Sequence, residues 1–135
     1  MSRPESRATK LGESDRERYL EEVGSIMQTL AGGAPDETAV WEAYARLEKL
    51  IAVLRFRIDY ETPGVFARLP DATDKARLLS EARRLLSKSR DELGAGRSVG
   101  CVEALREARN DLRSFLRETK LSSRRKRSSV RTGQA

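Results

Sequence analysis

One stretch decides the fold, residues 36–60, and it reads DETAVWEAYARLEKLIAVLRFRIDY. Its apolar residues recur at intervals of four, three, four, three and four: Val40, Tyr44, Leu47, Ile51, Leu54 and Ile58. Because about 3.6 residues make one turn of an α-helix, this spacing places all six on one face. Ala43 and Leu50 widen the face beyond the seam of a two-stranded coiled coil. The stretch therefore predicts a core-facing helix around which a small domain is organised.

Three further stretches repeat this helical period. Residues 1–13, which precede all four stretches, are polar and show no apolar period, so we expect them to form a disordered arm. Ser14 and Glu17 have the spacing of a capping box, and Asp36 or Thr38 is the expected N-cap of the second helix. The three apolar faces are Leu20, Val23, Met27 and Leu30; then Leu78, Leu79, Ala82, Leu85, Leu86 and Leu93; and last Cys101, Leu105, Ala108, Leu112 and Phe115.

Four amphipathic helices without a convincing strand predict an all-α antiparallel bundle over residues 14–118. The connections between them are short and contain glycine or proline, which end helices. The connection after the second helix also carries an apolar patch at Val65, Phe66 and Leu69. We expect this patch to fold under the bundle and close one end of it.

Basic charge is concentrated at the C-terminal end of the chain. The 135 residues include 27 Lys and Arg against 21 Asp and Glu, a net charge of +6. Residues 119–135 contain no acid and six bases: Lys120, Arg124, Arg125, Lys126, Arg127 and Arg131. The other 21 bases balance all 21 acids, so residues 1–118 are formally neutral. We therefore expect a neutral bundle followed by a basic, disordered tail.

This basic tail has several chemical interpretations. Adjacent cations bind polyanions by releasing condensed counterions, whatever the nucleotide sequence. Similar runs act as nuclear import signals or contact membrane surfaces. Ser128 and Ser129 follow the cations directly and would suit a basophilic kinase, whose phosphates would cancel part of the charge. A solvated, solubilising tail is the alternative.

A second group of cations precedes the tail, on the predicted fourth helix. Its members are spaced by three, four and four residues: Arg106, Arg109, Arg113 and Arg117. A shorter row on the third helix, Arg77, Arg84 and Lys88, would form a common track with it if both faced the same way. Acids occupy the neighbouring side of the fourth helix, at Glu103, Glu107, Asp111 and Glu118. A charged solvent-exposed face with local ion pairs explains both rows equally well.

Other residues of the second helix have structural interpretations. Glu42 and Arg46 lie four residues apart in the favourable order and are expected to pair on its outer face. Trp41 and Tyr44 would stack on nucleic-acid bases if they were exposed. Tyr44 lies on the apolar face and Trp41 next to it, so packing in the core or at its edge is the preferred interpretation.

Composition excludes several kinds of catalytic site. The chain has no histidine and a single cysteine, Cys101, which rules out an intrachain disulfide, a Cys/His zinc site and a histidine-based triad. Cys101 falls on the inner face of the fourth helix, where a packing role is favoured over a reactive thiol. We find no catalytic residues or phosphate-binding loop, and we expect no enzyme activity, no metal and no cofactor.

Two functional hypotheses result. The first is a non-catalytic nucleic-acid-associated protein that contacts the phosphates of DNA or RNA through the arginine row and the tail, largely without sequence specificity. The second is a protein–protein interaction subunit, an adaptor or a homo-oligomer whose tail directs localisation or improves solubility. The longest apolar run has five residues, against the ~20 that a membrane span needs, and no secretory signal is visible. We expect an intracellular, cytoplasmic protein, or a nuclear one in a eukaryotic cell.

Overall fold

The computed structural model describes residues 11–31, 36–58 and 74–133, with side chains described through residue 121. It contains four α-helices: α1 (Glu13–Thr29), α2 (Glu37–Arg57), α3 (Lys75–Gly94) and α4 (Ser98–Gly133). The described ranges contain no strand. The prediction of an all-α fold is therefore confirmed, whereas the expected disordered arm and the apolar patch after α2 lie mostly or wholly outside the described residues.

The helices pack as a ring in which each one has two main neighbours. α1 contacts α2 and α3, and α4 contacts the same two helices, most extensively α3. Ion pairs fix the direction of α2 relative to α1, because Arg57 reaches Asp15 at 3.6 Å and Arg46 reaches Glu22 at 3.0 Å. The end of α2 therefore lies beside the beginning of α1, and the two helices are antiparallel.

α3 is antiparallel to α1 and to α4. Near the end of α1, the guanidinium of Arg83 on α3 donates to the carbonyl oxygen of Leu30, which lies 3.1 Å from Arg83 Nε. At the beginning of α3, the ammonium of Lys75 lies 5.3 Å from the ring centroid of Phe115. Since α2 and α3 are each antiparallel to α1, they run in the same direction. The end of α2 and the beginning of α3 consequently lie at opposite ends of the bundle.

Aspartates cap α2 and α3. Asp36 accepts a hydrogen bond from the backbone N–H of Ala39 at 2.8 Å, and Asp74 accepts one from Ala76 at 3.0 Å. These contacts satisfy N–H groups that have no partner within the helix. The predicted capping box at Ser14 is wrong, because α1 begins at Glu13 after Gly12 with no side-chain cap. Leu11 packs against the core, so packing against the bundle begins before Ser14.

The turn between α3 and α4 is a Schellman motif. Arg97 N–H donates to Glu92 C=O at 2.8 Å, and Gly96 N–H donates to Leu93 C=O at 3.0 Å. Gly96 has φ +82°, a left-handed conformation that costs glycine little because it lacks a Cβ atom. This compact turn allows α3 and α4 to form a closely packed hairpin.

The core is built from apolar side chains of all four helices. The predicted face of α2 is buried at Val40, Leu47, Ile51, Leu54 and Ile58, and Tyr44 packs beside it. The first half of α4 is buried on most of its circumference, since α2 and α3 both pack against it. This burial determines which charged groups of α4 remain in contact with solvent.

The helical backbone of α4 continues to Gly133, which differs from the disordered tail predicted for residues 119–135. α4 has 36 residues, whereas the other helices have between 17 and 21. It passes the beginning of α3 at Phe115, so residues 116–133 extend beyond that level. Extending an existing helix adds one hydrogen bond per residue without a new nucleus, and arginine and lysine are good helix formers. Packing is therefore not required for the helix to continue.

Candidate nucleic-acid interface

The four arginines predicted to line α4 have different environments. Arg106 is buried, with 8% of its surface exposed, and Arg109 is partly buried. Arg113 and Arg117 are exposed. The buried residues of α4 lie between Ser98 and Leu116, and Arg113 and Arg117 lie on the side of this helix that faces solvent. Only the second half of the predicted row therefore presents guanidinium groups to solvent.

Arg109 is held inside the bundle by an ion pair. Its Nε lies 3.2 Å from Oε1 of Glu48 on α2. The Arg109 side chain is 23% exposed and the Glu48 side chain 44%. A guanidinium that already binds a carboxylate has less to gain from a phosphate, so Arg109 belongs to the α2–α4 contact rather than to an open binding surface.

Six basic residues recur along α4 at intervals of four, three, four, three and four: Arg113, Arg117, Lys120, Arg124, Arg127 and Arg131. The first three are exposed, and the helical backbone through Gly133 keeps the other three positions in the same register. We call these six positions the basic stripe. It is about 27 Å long at 1.5 Å per residue. The remaining predicted site residues, Arg125 and Lys126, lie on the same helical segment outside the stripe.

Two acids of α4 lie close enough to α3 to act on one of its arginines. The pKa of Arg84 on α3 is raised, chiefly by Glu81 on its own helix and more weakly by Glu107 and Asp111 of α4. Arg84 also donates a hydrogen bond to Glu81, and its Nε lies 3.0 Å from Glu81 Oε2. Arg84 of the α3 row thus lies near two acids of α4, whereas Arg109 of the α4 row pairs with Glu48 of α2. These two arginines therefore do not contribute to a common basic track.

Two aromatic side chains of α2 are exposed. Trp41 is 52% exposed, and its ring meets Tyr44 edge-on with centroids 5.9 Å apart. The prediction that Trp41 packs in the core or at its edge is therefore wrong. Trp41 directly follows Val40 of the apolar face, and the helix turns this next residue towards solvent. Phe56 is 91% exposed and was not recognised from the sequence. The signal in the sequence is that Phe56 is a large apolar residue outside the predicted core face of α2.

Cys101 is fully buried, as its place on the inner face of α4 predicted. Burial, together with the nearby Glu92 carboxylate, raises the pKa of the thiol to about 12. The thiol therefore stays protonated at neutral pH, and protonated thiols are poor nucleophiles. Packing, not reactivity, is the role that this environment supports.

These features define the chain as a four-helix antiparallel bundle with one long, basic helix. No group of three or more potential metal ligands occurs in the described part of the chain. None of the four helices, over their described residues, is long and apolar enough to cross a membrane. Comparison of the chain with protein-family models, with curated protein sequences and with solved structures finds no match.

Proposed function

We propose that this protein is a non-catalytic nucleic-acid-binding protein whose basic stripe contacts the phosphates of DNA or RNA. The observation that carries the proposal is the continuation of α4 as a helix, which aligns six cationic positions over about 27 Å. No acid interrupts this helix after Glu118. A linear array of cations complements a linear array of phosphates.

The bundle and the stripe have separate roles in this proposal. The packed core is formed by described residues of the four helices up to Leu116, and residues 1–118 as a whole are formally neutral, whereas the surplus charge lies after residue 118. Binding through phosphates positions the protein without reading the bases, so we expect little dependence on nucleotide sequence. The affinity should fall steeply with salt, because neutralising each phosphate releases condensed counterions.

The test compares two full-length variants with equal net charge. The first carries Arg124→Gln, Arg127→Gln and Arg131→Gln in the stripe. The matched control carries Lys49→Gln, Lys88→Gln and Arg90→Gln, which are exposed residues on α2 and α3. Binding to labelled single- and double-stranded DNA and RNA is measured at several salt concentrations for both. The control separates a local site from a general effect of net charge.

We expect the stripe variant to bind more weakly and the control to keep most of its affinity. On duplex DNA, the slope of log K against log salt should decrease by about 0.9 for each phosphate that the variant no longer neutralises. Equal decreases in affinity for the two variants would show that net charge alone attracts the polyanion. Failure of the unmodified protein to bind any of the four nucleic acids would refute the proposal.

The helical register of the stripe can be tested separately from its charge. Ser123→Pro keeps every cation and interrupts α4 between Lys120 and Arg124, since proline in a helix interior costs about 3 kcal/mol. We expect the salt slope to persist, because the charges remain, and the affinity to fall several-fold, because ordering must then accompany binding. Unchanged affinity would mean that charge matters and helical register does not.

A role in protein–protein association is the second candidate function. It is favoured by one observation, the exposure of Trp41 and Phe56 on the outer face of α2. Large exposed aromatic side chains are enriched at protein interfaces. This surface is distinct from the basic stripe, so the two functions are compatible in one molecule.

A further inference from the structure

Trp41 is an exposed aromatic residue at the border between α2 and α4. It precedes Glu48 by seven residues, so the two lie within about 20° of each other around the α2 axis. Glu48 binds Arg109 of α4, with 3.2 Å between Arg109 Nε and Glu48 Oε1. Trp41 therefore lies on the same side of α2 as this ion pair, about 10 Å nearer to the beginning of the helix.

The antiparallel packing of α2 and α4 determines which residues of α4 lie level with Trp41. α2 runs in the same direction as α3, and α3 is antiparallel to α4, so α2 is also antiparallel to α4. Moving about 10 Å from Glu48 towards Trp41 thus corresponds to moving seven residues from Arg109 towards the end of α4. Trp41 consequently lies level with the part of α4 between Arg113 and Lys120, where the basic stripe begins.

Arg113 and Lys120 lie on the side of α4 that faces α2. At 100° per residue, both are within about 40° of Arg109 around the α4 axis, and Arg109 pairs with α2. Both side chains are exposed. Along α4, one lies roughly 5 Å before the level of Trp41 and the other roughly 6 Å beyond it. The structure thus brings an indole ring and two cations to one surface, which we call the Trp41 site: Trp41, Arg113 and Lys120.

Tyr44 supports the indole ring without lying parallel to it. The two rings are perpendicular, at 89°, with their centroids 5.9 Å apart, and Tyr44 is itself partly buried against the core. Perpendicular aromatic rings attract each other through their quadrupoles, so Tyr44 restrains the position of Trp41. About half of Trp41, 52%, remains exposed. A flat aromatic ligand can therefore approach the ring from solvent.

One acid lies near the Trp41 site. Glu37 is exposed and precedes Trp41 by four residues, so it lies one turn away on the same side of α2. It offsets part of the positive charge, whereas α4 contributes three exposed cations over this length: Arg113, Arg117 and Lys120. The local balance of charge is therefore positive, which favours phosphate groups.

We infer that the Trp41 site binds single-stranded nucleic acid, with a base stacked on Trp41 and the neighbouring phosphates bound by Arg113 and Lys120. A nucleotide within a strand has a phosphate on each side, and the two cations lie on either side of the level of Trp41. A cationic surface with an aromatic stacking platform is how proteins bind single strands without reading their sequence. Bases in a duplex are stacked on one another and are not available to Trp41.

This inference rests on the proposed function and identifies its ligand more closely. The basic stripe alone attracts duplexes and single strands, because both carry phosphates. Trp41 adds a contact that only unpaired bases can make. Since every base has a π face, this contact favours single strands and still tolerates any nucleotide sequence.

The first experiment follows the emission of Trp41 while the full chain is titrated with nucleic acid at low salt. Trp41 is the only tryptophan, so its fluorescence reports on this site alone. The probes are oligothymidine, oligouridine, an abasic oligonucleotide of the same length and a DNA duplex, and parallel titrations with dye-labelled probes measure binding by anisotropy. A base stacked on the indole ring quenches its emission. We therefore expect quenching by the two single strands and little quenching by the abasic probe or the duplex.

The outcomes separate this inference from the proposed function. Binding of the single strands without a change in emission would overturn the inference and leave phosphate binding by the basic stripe intact. Equal quenching by the abasic oligonucleotide would also overturn it, because that probe has phosphates and no bases. If the unmodified chain binds none of the four probes, the proposed function fails and the inference fails with it.

Variants of Trp41 test the stacking contact directly. Trp41→Ala should weaken the binding of oligothymidine by about 5- to 150-fold, since losing one base stack costs about 1–3 kcal/mol and 1.4 kcal/mol is tenfold. The salt slope should stay the same, because no phosphate contact is removed. Trp41→Phe keeps an aromatic face and should retain most of the affinity.

Phe56→Ala is the matched control on the same helix. Phe56 is 91% exposed and follows Trp41 by 15 residues, which places it roughly 22 Å away along α2. We expect this variant to bind oligothymidine as well as the unmodified chain does, and circular dichroism checks that every variant is folded. Unchanged affinity in Trp41→Ala, or an equal loss in Phe56→Ala, would show that no base stacks on Trp41.

Discussion

Arg109 Nε lies 3.2 Å from Glu48 Oε1, and this ion pair joins α4 to α2. One turn further along α4, Arg113 is exposed to solvent. The change from a paired to an exposed arginine marks the boundary between the part of α4 that belongs to the bundle and the part that begins the basic stripe. Two arginines of one helical row thereby acquire different roles.

The first prediction concerns this boundary. Arg117→Gln should reduce the salt slope of nucleic-acid binding by about 0.9, because it removes one exposed cation from the stripe. Arg109→Gln removes the same charge but should leave the slope unchanged, since Arg109 is engaged with Glu48. Titrations at several salt concentrations measure both slopes. Equal reductions of the salt slope in the two variants would contradict the conclusion that Arg117 binds phosphates and Arg109 does not.

The second prediction concerns the contact between α1 and α2. Arg46 binds Glu22 at 3.0 Å and Ser25 Oγ at 2.8 Å, both on α1, rather than pairing with Glu42 as the sequence suggested. The side chains of Arg46 and Glu22 are 28% and 40% exposed, so solvent screens the pair. We expect Arg46→Ala to lower the free energy of unfolding by about 1 kcal/mol.

Double-mutant cycles in urea identify the partner of Arg46. Combining Arg46→Ala with Glu22→Ala should give a measurable coupling energy. The same cycle with Glu42→Ala should give additive effects. The reverse result would mean that the local pair within α2, and not the contact between helices, forms in solution.

The third prediction concerns the turn between α3 and α4. Gly96 has φ +82°, and an alanine there would place Cβ against the following carbonyl oxygen, at a cost of roughly 1–2 kcal/mol. Gly94→Ala is the control, because Gly94 is helical and nothing lies within 4 Å of its added Cβ. Thermal unfolding should show a loss of stability for Gly96→Ala and a neutral effect or a gain for Gly94→Ala.

The fourth prediction concerns the pH dependence of stability through Cys101. Burial raises the pKa of the folded thiol from its ordinary 9.0 to about 12, so between these values the folded chain keeps a proton that the unfolded chain loses. Stability from this group is complete below pH 9 and is lost as pH rises towards 12. At pH 10 the loss is about 1.4 kcal/mol.

Cys101→Ala isolates this effect, because the variant has no thiol to titrate. The difference in unfolding free energy between the unmodified chain and the variant should shrink by about 1.4 kcal/mol from pH 7 to pH 10. A thiol reagent should modify the folded chain only as fast as it unfolds. Rapid modification at pH 8 would contradict the burial of Cys101.

Local periodicity explains why so much of the fold could be predicted. The apolar residues of α2 recur with the period of a helix, and five of the six that define its face are buried. Asp36 caps α2 because a short acceptor before a helix reaches its free N–H groups. Such features depend on a few neighbouring residues, so the sequence displays them. The prediction for residues 119–135 differs from the structure because a helix can propagate past its last packed residue, where no apolar pattern marks it.

The ion-pair partner of Arg46 and the exposure of Trp41 could not be predicted from the sequence. Arg46 has an acid four residues before it, yet it binds a residue of α1 that is 24 positions away. Trp41 is next to the core face, yet 52% of it is exposed. The spacing along one helix cannot distinguish these outcomes, because each depends on where a second helix packs.

The sequence by itself determined the all-α class, the core faces of α2, α3 and α4 and the segregation of basic charge into the last residues, whereas on α1 Tyr19 and Ile26 are buried in place of the predicted Leu20 and Met27. Those properties follow from helix geometry and composition, which are local. Only the tertiary structure decided that Arg106 and Arg109 belong to the bundle while Arg113 and Arg117 face solvent. The physical reason is that exposure depends on the neighbouring helices: α2 and α3 cover the first half of α4, and α3 begins level with Phe115.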